Sequence, residues 1–369
     1  MNKVIVVGGG AAGMMAAISA ADSGAEVILI EKNEKLGKKV YITGKGRCNI
    51  TNESDVENLL KNVRSNPKFL YSAFYTFDSY RMMEFLEGEG LKLKTERGNR
   101  VFPESDKSSD VIKTLKKALE KRKVKIVLNT KVLNIEIKDG ICHGVIVQSG
   151  DKSGSYTADK VIVATGGCSY QSTGSTGGGY RFAKDADIKV TKCYPSLVPF
   201  NIGSDIPKRL QGLSLRNVKV TLSDKGKVLY EELGEMLFTH FGVSGPLVLS
   251  ASTLASGKDV SQMELSIDLK PALSKEQLDE RILRDFSENR NSYFKNSLSR
   301  LLPAKMIPVI VELSGIDEKK QVNNITKEER NRLVNLLKGL TFKVESLRGF
   351  NEAIITKGGV SVKEINPGT

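Results

Sequence analysis

Gly8, Gly10 and Gly13 stand at G-x-G-x-x-G spacing in Gly8-Gly9-Gly10-Ala11-Ala12-Gly13, and an acid, Glu31, with Lys32 beside it, closes the next apolar run. Each residue type has a physical use. Gly8 permits a tight turn, Gly10 lets a pyrophosphate approach the backbone, and Gly13 lets a helix lie close on a strand. The unpaired N–H groups of a helix N-terminus, including those of Ala11 and Ala12, then face the phosphates with partial positive charge. A carboxylate at the Glu31 position accepts hydrogen bonds from a ribose diol.

The elements needed to hold these residues can be read on either side of them. Val4-Ile5-Val6-Val7 is a short apolar run of the kind a buried parallel strand needs. Small and apolar residues from Met14 to Ser23 predict a helix stopped by Gly24, and Val27-Ile28-Leu29-Ile30 predicts a second strand. Strand, glycine turn, helix, strand, acid is the order of a dinucleotide-binding unit. An adenine dinucleotide is expected here, and this stretch alone admits NAD or FAD.

The 369 residues are enough for two or three domains, and 40% hydrophobic with 27% charged residues is ordinary for a globular protein. No apolar run reaches bilayer length, so no membrane span is expected. The glycines occupy the place of a signal peptide's apolar region, and a cytoplasmic location is the expectation. Cys48, Cys142, Cys168 and Cys193 are scattered, and the only histidines are His143 and His240, so neither a disulfide framework nor a metal site is predicted. The net charge of +13 calls for an anionic partner, but acids interleave with the basic residues throughout. The sequence sets no oligomeric state.

Residues 35–52 are dense in cations and glycines and read as a loop wrapping something anionic or planar. Gly37-Lys38-Lys39, followed by Thr43-Gly44-Lys45-Gly46-Arg47-Cys48-Asn49-Ile50-Thr51-Asn52, resembles the signature of the HI0933-like, or BaiN-like, family of FAD-dependent oxidoreductases. Further matches are Arg100-Val101-Phe102-Pro103, Ala164-Thr165-Gly166-Gly167, Thr173-Gly174-Ser175-Thr176-Gly177, Phe238 through Pro246 and Lys357-Gly358-Gly359-Val360, so the similarity spans nearly the whole chain. The resemblance implies FAD as cofactor. It places Lys38, Lys39, Thr43, Gly44, Gly46, Arg47, Cys48 and Asn49 in the flavin loop, with Ala164, Thr165, Gly166 and Gly167 passing near the cofactor. By analogy with flavoproteins in which an antiparallel β crossover interrupts the parallel sheet, the Val132 backbone would meet the adenine. Family members continue past an Asn-Pro-x-Thr resembling Asn366 to Thr369 into a segment that closes over the flavin, and that closing segment is expected to be missing here.

The predicted fold class is α/β: a Rossmann-type FAD-binding domain with a β crossover, interrupted by an inserted β domain and a helical cap. The expected boundaries are residues 1–192 with 351–369 for the FAD domain, 193–270 with 340–350 for the β domain, and 271–339 for the cap. Within the first domain, Asp78 is expected to cap one helix and Ser109 another. Phe69, Phe74, Phe77 and Phe85 are expected in the core. Asp139-Gly140 marks a hairpin between 131–138 and 141–148.

For chemistry, flavin hydride transfer needs a placed substrate carbon and a proton. His240 is the candidate proton donor, with a hydrogen-bonding role inside its own motif as the alternative. Cys48 lies among cations that would favour its thiolate, yet has no second cysteine nearby, and a small packing residue touching the cofactor is the preferred reading. Gly242-Val243-Ser244-Gly245-Pro246 lacks the final glycine of a nucleophile elbow. No second nucleotide fingerprint occurs, so NAD(P)H, if it is the reductant, would visit transiently. The expected reaction is NAD(P)H-dependent reduction of a small apolar enone-like substrate. An amine or aminoketone oxidase using oxygen is one alternative. A nucleic-acid-binding flavoprotein is another, which Asp279, Glu280, Asp285 and Glu288 argue against by breaking the basic run of 281–305.

Overall fold

The computed structural model describes residues 2–288 and 290–368; Thr369, the end of the Asn-Pro-Gly-Thr match, lies outside them. The chain divides into Met1–Cys193 with Gly358–Thr369, and Tyr194–Lys357.

In the first unit, β1 (Lys3–Val7) leads through the glycine turn into α1 (Ala11–Asp22) and then β2 (Glu26–Ile30). The helix begins three residues before Met14, because Gly10 takes the extended conformation of an N-cap and frees the chain to turn at Ala11. A parallel sheet runs in the order Lys160–Val163, β1, β2, Lys125–Val127. Its central strand is buried on both faces, and alternate residues serve different layers. Val4 and Val6 pack with Met14, Ala17 and Ile18 of α1 and with Leu115 and Leu119 of the helix Ser108–Lys121. Ile5 and Val7 pack with Val132, Val145 and Val147 of the crossover. That crossover is a three-stranded antiparallel sheet, Lys131–Lys138, Ile141–Ser149 and Lys152–Thr157, turned at Asp139-Gly140 with both residues at positive φ as the hairpin signal predicts.

Several local expectations need correction. Residues 38–42 are not loop but a short helix, α2 (Lys38–Ile42), whose Val40 is buried against the core. Asp78 caps Ser79–Gly88 as expected, accepting from the Arg81 N–H. Ser109 does not cap its helix: the helix starts at Ser108, and the Ser108 hydroxyl donates instead to the Tyr41 carbonyl at 2.7 Å. Of the four phenylalanines, only Phe85 packs against the core, and Phe77 is 40% exposed. Phe69 lies in Pro67–Leu70 and Phe74 in Tyr71–Thr76, which Phe77 caps, and these helices are too short to bury a continuous apolar face.

The second unit is built on a closed six-stranded barrel. Its strands run Phe200–Ile202, Gly242–Ser244, Lys227–Phe238, Ser214–Asp224, Met263–Asp268 and Leu340–Leu347. Phe238, Leu265 and Ile267 of the barrel share one core with Leu278 and Ile282 of Lys275–Glu288, and with Leu333 and Leu337 of Lys327–Lys338. The latter helix starts with a reciprocal capping box between Thr326 and Glu329.

Candidate functional site

The β1–α1 turn opens onto a cavity of about 790 Å³, within the range of ligand and cofactor sites. Glycine is required at two places in that turn. A Cβ on Gly8 (φ +109°) would sit 2.5 Å from the Ala164 carbonyl oxygen, and one on Gly13 would sit 1.7 Å from the Gly8 carbonyl oxygen. Gly10 is different: nothing lies within 4 Å of its Cβ position, which leaves its backbone accessible from the cavity it lines. The Gly10 cap makes no side-chain hydrogen bond, and the first turn of α1 holds no acid. Its N–H groups and partial positive charge are therefore offered to an anion.

Glu31 lines the same cavity but is also built into the turn. Its Oε2 accepts from the Gly9 N–H at 2.6 Å, and Oε1 accepts from the Asn33 N–H at 2.8 Å and from Asn33 Nδ2 at 2.7 Å. The carboxylate thus clamps the glycine turn to the end of β2 while facing the cavity. Two lysines supply positive charge. Lys32 donates to Thr176 Oγ1 at 3.1 Å and Lys39 to the Ser169 carbonyl at 2.6 Å. Burial holds both ammonium groups below the usual lysine range, with the neighbouring Glu31 partly countering this at Lys32.

Of the residues predicted from sequence, Gly8, Gly10, Ala11, Ala12, Glu31, Lys32, Lys38, Lys39, Thr43, Val132, Ala164, Thr165 and Gly166 line this cavity. Gly13 supports it from behind by close packing. Gly44, Gly46, Arg47, Cys48, Asn49 and Gly167 are not part of the lining. Arg47 is engaged elsewhere: it pairs with Glu96 and Asp106, stacks 4.2 Å over the Phe102 ring, and is held well above its ordinary pKa, first by its hydrogen bond to Glu96. Cys48 is turned into the core, where burial pushes its thiol up, the reverse of a thiolate favoured by nearby cations. Sequence reasoning passed over Asn33 and Arg181 and did not assign Gly174, Thr176 and Gly177 to the cofactor, yet all five line the cavity. The run Thr173 to Gly177 carried that signal as a motif.

A second group of polar residues lies in the barrel unit. His240 is exposed, with its ring edge-on to Phe241 at 5.0 Å, and the Arg348 guanidinium lies 4.5 Å from the same Phe241 ring. Beside them in sequence or across the barrel, Thr239 Oγ1 and Asn201 Oδ1 are buried with no hydrogen-bond partner among the described residues. Asn201 spends its amide N–H on Ser346 Oγ at 2.7 Å, so its oxygen stays available. Orphaned buried acceptors are costly and mark places where a bound molecule or water completes the set. Among the described residues no group of three or more His, Cys, Asp or Glu side chains is placed to hold a metal, and no helix is long and apolar enough to cross a membrane.

The parallel sheet, the glycine turn without side chains, the clamped acid, the crossover and the basic cavity fit a flavin dinucleotide, and they define an FAD-dependent oxidoreductase. The chain belongs to the HI0933-like family: the family model described as the HI0933-like protein Rossmann domain matches residues 2–369. It is 29% identical over 373 residues to the 3-dehydro-bile acid delta(4,6)-reductase of Clostridium scindens, across 100% of this chain and 89% of that protein. It is 30% identical over 371 residues to the ribosomal RNA dihydrouridine synthase of Haemophilus influenzae, across 100% of this chain and 88% of that protein. Among solved structures, the 3-ketosteroid-delta4-(5alpha)-dehydrogenase of Rhodococcus jostii RHA1 aligns over 97% of this chain and 85% of its own, at 14% identity and a TM-score of 0.45.

Proposed function

We propose that this chain reduces a carbon–carbon double bond conjugated to a carbonyl, with NAD(P)H as transient electron donor, in the cytoplasm. The observation that carries the reading is the bond change shared by two of its near full-length relatives. A delta(4,6)-reductase of a 3-dehydro substrate and a dihydrouridine synthase have unrelated substrates, yet each name describes saturation of an alkene in conjugation with a carbonyl. Bound FAD supplies the hydride for such a step. The glycine turn and the α1 N-terminus bind the pyrophosphate, Glu31 orients the ribose, and Lys32 and Lys39 offset the cofactor's negative charge. His240 is the proton donor to the substrate, and Thr239, Asn201 and Arg348 are the groups that position its polar end.

A small apolar enone is the favoured substrate class. The second reading, a uracil ring within ribosomal RNA, is favoured by the H. influenzae relative and by the net charge of +13. Anaerobic stopped-flow separates the readings. NADH or NADPH should bleach the visible flavin absorbance, and a steroid with a 3-keto-4-ene system should restore it. Restoration by unmodified rRNA alone, with salt-sensitive binding, selects the second reading. Bleaching by amines but by neither nicotinamide overturns both in favour of an oxidase. In His240→Gln the nicotinamide step should keep its rate while the substrate step slows.

A further inference from the structure

Arg181 lines the cofactor cavity but has no part in the reading above. It belongs to the helix Gly178–Asp185, which follows the loop that Lys32 holds through Thr176. Its place along the cavity follows from its neighbours. The glycine turn is the end suited to a pyrophosphate, and Glu31 is the acid suited to a ribose. The Thr130 N–H donates to the Glu31 carbonyl at 3.1 Å, so residues 130–132, which also line the cavity, lie directly beyond that acid. Arg181 Nη2 donates to the carbonyl of Leu133, the next residue of the same strand, Lys131–Lys138. The guanidinium is therefore held past the ribose acid, at the end where an adenine dinucleotide carries its base.

The surroundings of the side chain suit a flat ring. Phe182 and Val132, both buried, give this end of the cavity an apolar wall. The Arg181 guanidinium stands 5.1 Å from the centre of the Phe182 ring, and its bond to the Leu133 carbonyl orients it before a ligand arrives. Asp185 lies 4.0 Å from Arg181 Nε with both side chains about half exposed, an ion pair too weak to draw the arginine out of the cavity.

We propose that Arg181 recognises the adenine of FAD, with its guanidinium stacked on the face of the base, and so separates FAD from FMN. A phosphate would need only a point charge at this position, whereas a base needs the plane. The proposal rests on the assignment of this cavity to FAD and is independent of the substrate that the flavin reduces.

The test measures FAD, ADP and FMN binding to the apoprotein of the full chain by calorimetric titration. In Arg181→Ala, FAD and ADP should each bind about tenfold more weakly, the size of a desolvated cation–π contact, while FMN, which lacks the base, should bind as it does to the parent. Arg181→Lys keeps the charge and loses the plane, and should stay within about threefold of the alanine variant. Unchanged FAD and ADP affinity in Arg181→Ala would overturn the proposal. So would an equal loss for FMN, or recovery of the parent affinity in Arg181→Lys, which would mark a phosphate contact. In the parent, ADP should protect Arg181 from phenylglyoxal, read by peptide mapping, and inorganic pyrophosphate should not. Equal protection by both would overturn the proposal, and this arm decides without a variant if the substitutions prevent folding. If ADP does not compete with FAD in the parent, the cavity assignment itself fails; if it competes and Arg181→Ala binds normally, only the role of Arg181 fails.

Discussion

Two alanine substitutions in the same turn should separate cofactor binding from folding. In Gly13→Ala the new methyl group would start 1.7 Å from the Gly8 carbonyl oxygen and 2.9 Å from its carbon, with backbone on both sides of the clash. No rotamer can relieve this, so α1 must move away from β1 by more than ~1 Å, an overpacking strain of about 1–3 kcal/mol. For a unit of roughly 200 residues, that is a fall in melting temperature of about 2–12 °C. Gly10→Ala makes the opposite case. Gly10 has φ −79°, a conformation that alanine adopts freely, and nothing lies within 4 Å of its Cβ position. The apoprotein should keep its stability within about 0.5 kcal/mol. The methyl group would instead occupy the space through which the pyrophosphate approaches the backbone. FAD affinity should weaken at least about tenfold, or 1.4 kcal/mol. Differential scanning calorimetry of the apoproteins, with calorimetric titration of FAD, reads both quantities. If Gly10→Ala binds FAD as tightly as the parent, the pyrophosphate does not lie over this turn and the assignment of the cavity fails.

Replacing Glu31 by Ala leaves three donors, the Gly9 and Asn33 N–H groups and Asn33 Nδ2, without their acceptor in a site only 7% exposed. The apoprotein should lose about 1–3 kcal/mol in urea unfolding, and an unchanged midpoint would count against the clamp. Burial lowers the pKa of Lys32 and Lys39, so their charge is lost as pH rises before that of an ordinary lysine, which titrates near ~10.4. FAD binding should therefore weaken as pH rises, before the ordinary lysine range is reached, and less steeply in Lys39→Met; a flat profile in the parent would refute it. Arg47→Gln should lower the melting temperature only slightly through loss of its screened carboxylate pairs, yet leave FAD affinity within twofold by fluorescence titration, since Arg47 faces Glu96, Asp106 and Phe102.

How far the sequence could be read depended on whether a feature was local. The β1–α1–β2 unit was legible because its constraints act between near neighbours: Gly13 touches Gly8, and Glu31 binds the turn that precedes it. The Asp139-Gly140 hairpin was legible for the same reason. The surroundings of Arg47 and Cys48 were not legible because they come from about fifty residues away, in the strands that hold Glu96 and Phe102, or from the core, where Cys48 is the packing residue expected of it. A basic glycine-rich stretch looks the same whether its arginine meets a phosphate or an acid, and only the fold decides. Closure of the barrel was hidden too, since Phe200–Ile202 pairs with Leu340–Leu347 from far along the chain.

This locality also explains why the cofactor could be inferred and the substrate could not. Phosphate and ribose are held by backbone and by one acid within a single supersecondary unit, so their recognition leaves a compact pattern. The polar group around His240 has no such pattern. Asn201, Thr239 and Arg348 come from three separate parts of the barrel unit, and what marks them is the unmet hydrogen-bonding capacity of Asn201 Oδ1 and Thr239 Oγ1, which only the packed structure reveals. One cofactor-binding unit can serve different substrates, and the names of two relatives point to a bile acid and to ribosomal RNA. If the proposed role of this polar group holds, substitutions at 201, 239 and 348 should change substrate turnover and leave FAD affinity within twofold, and a loss of FAD affinity instead would refute it.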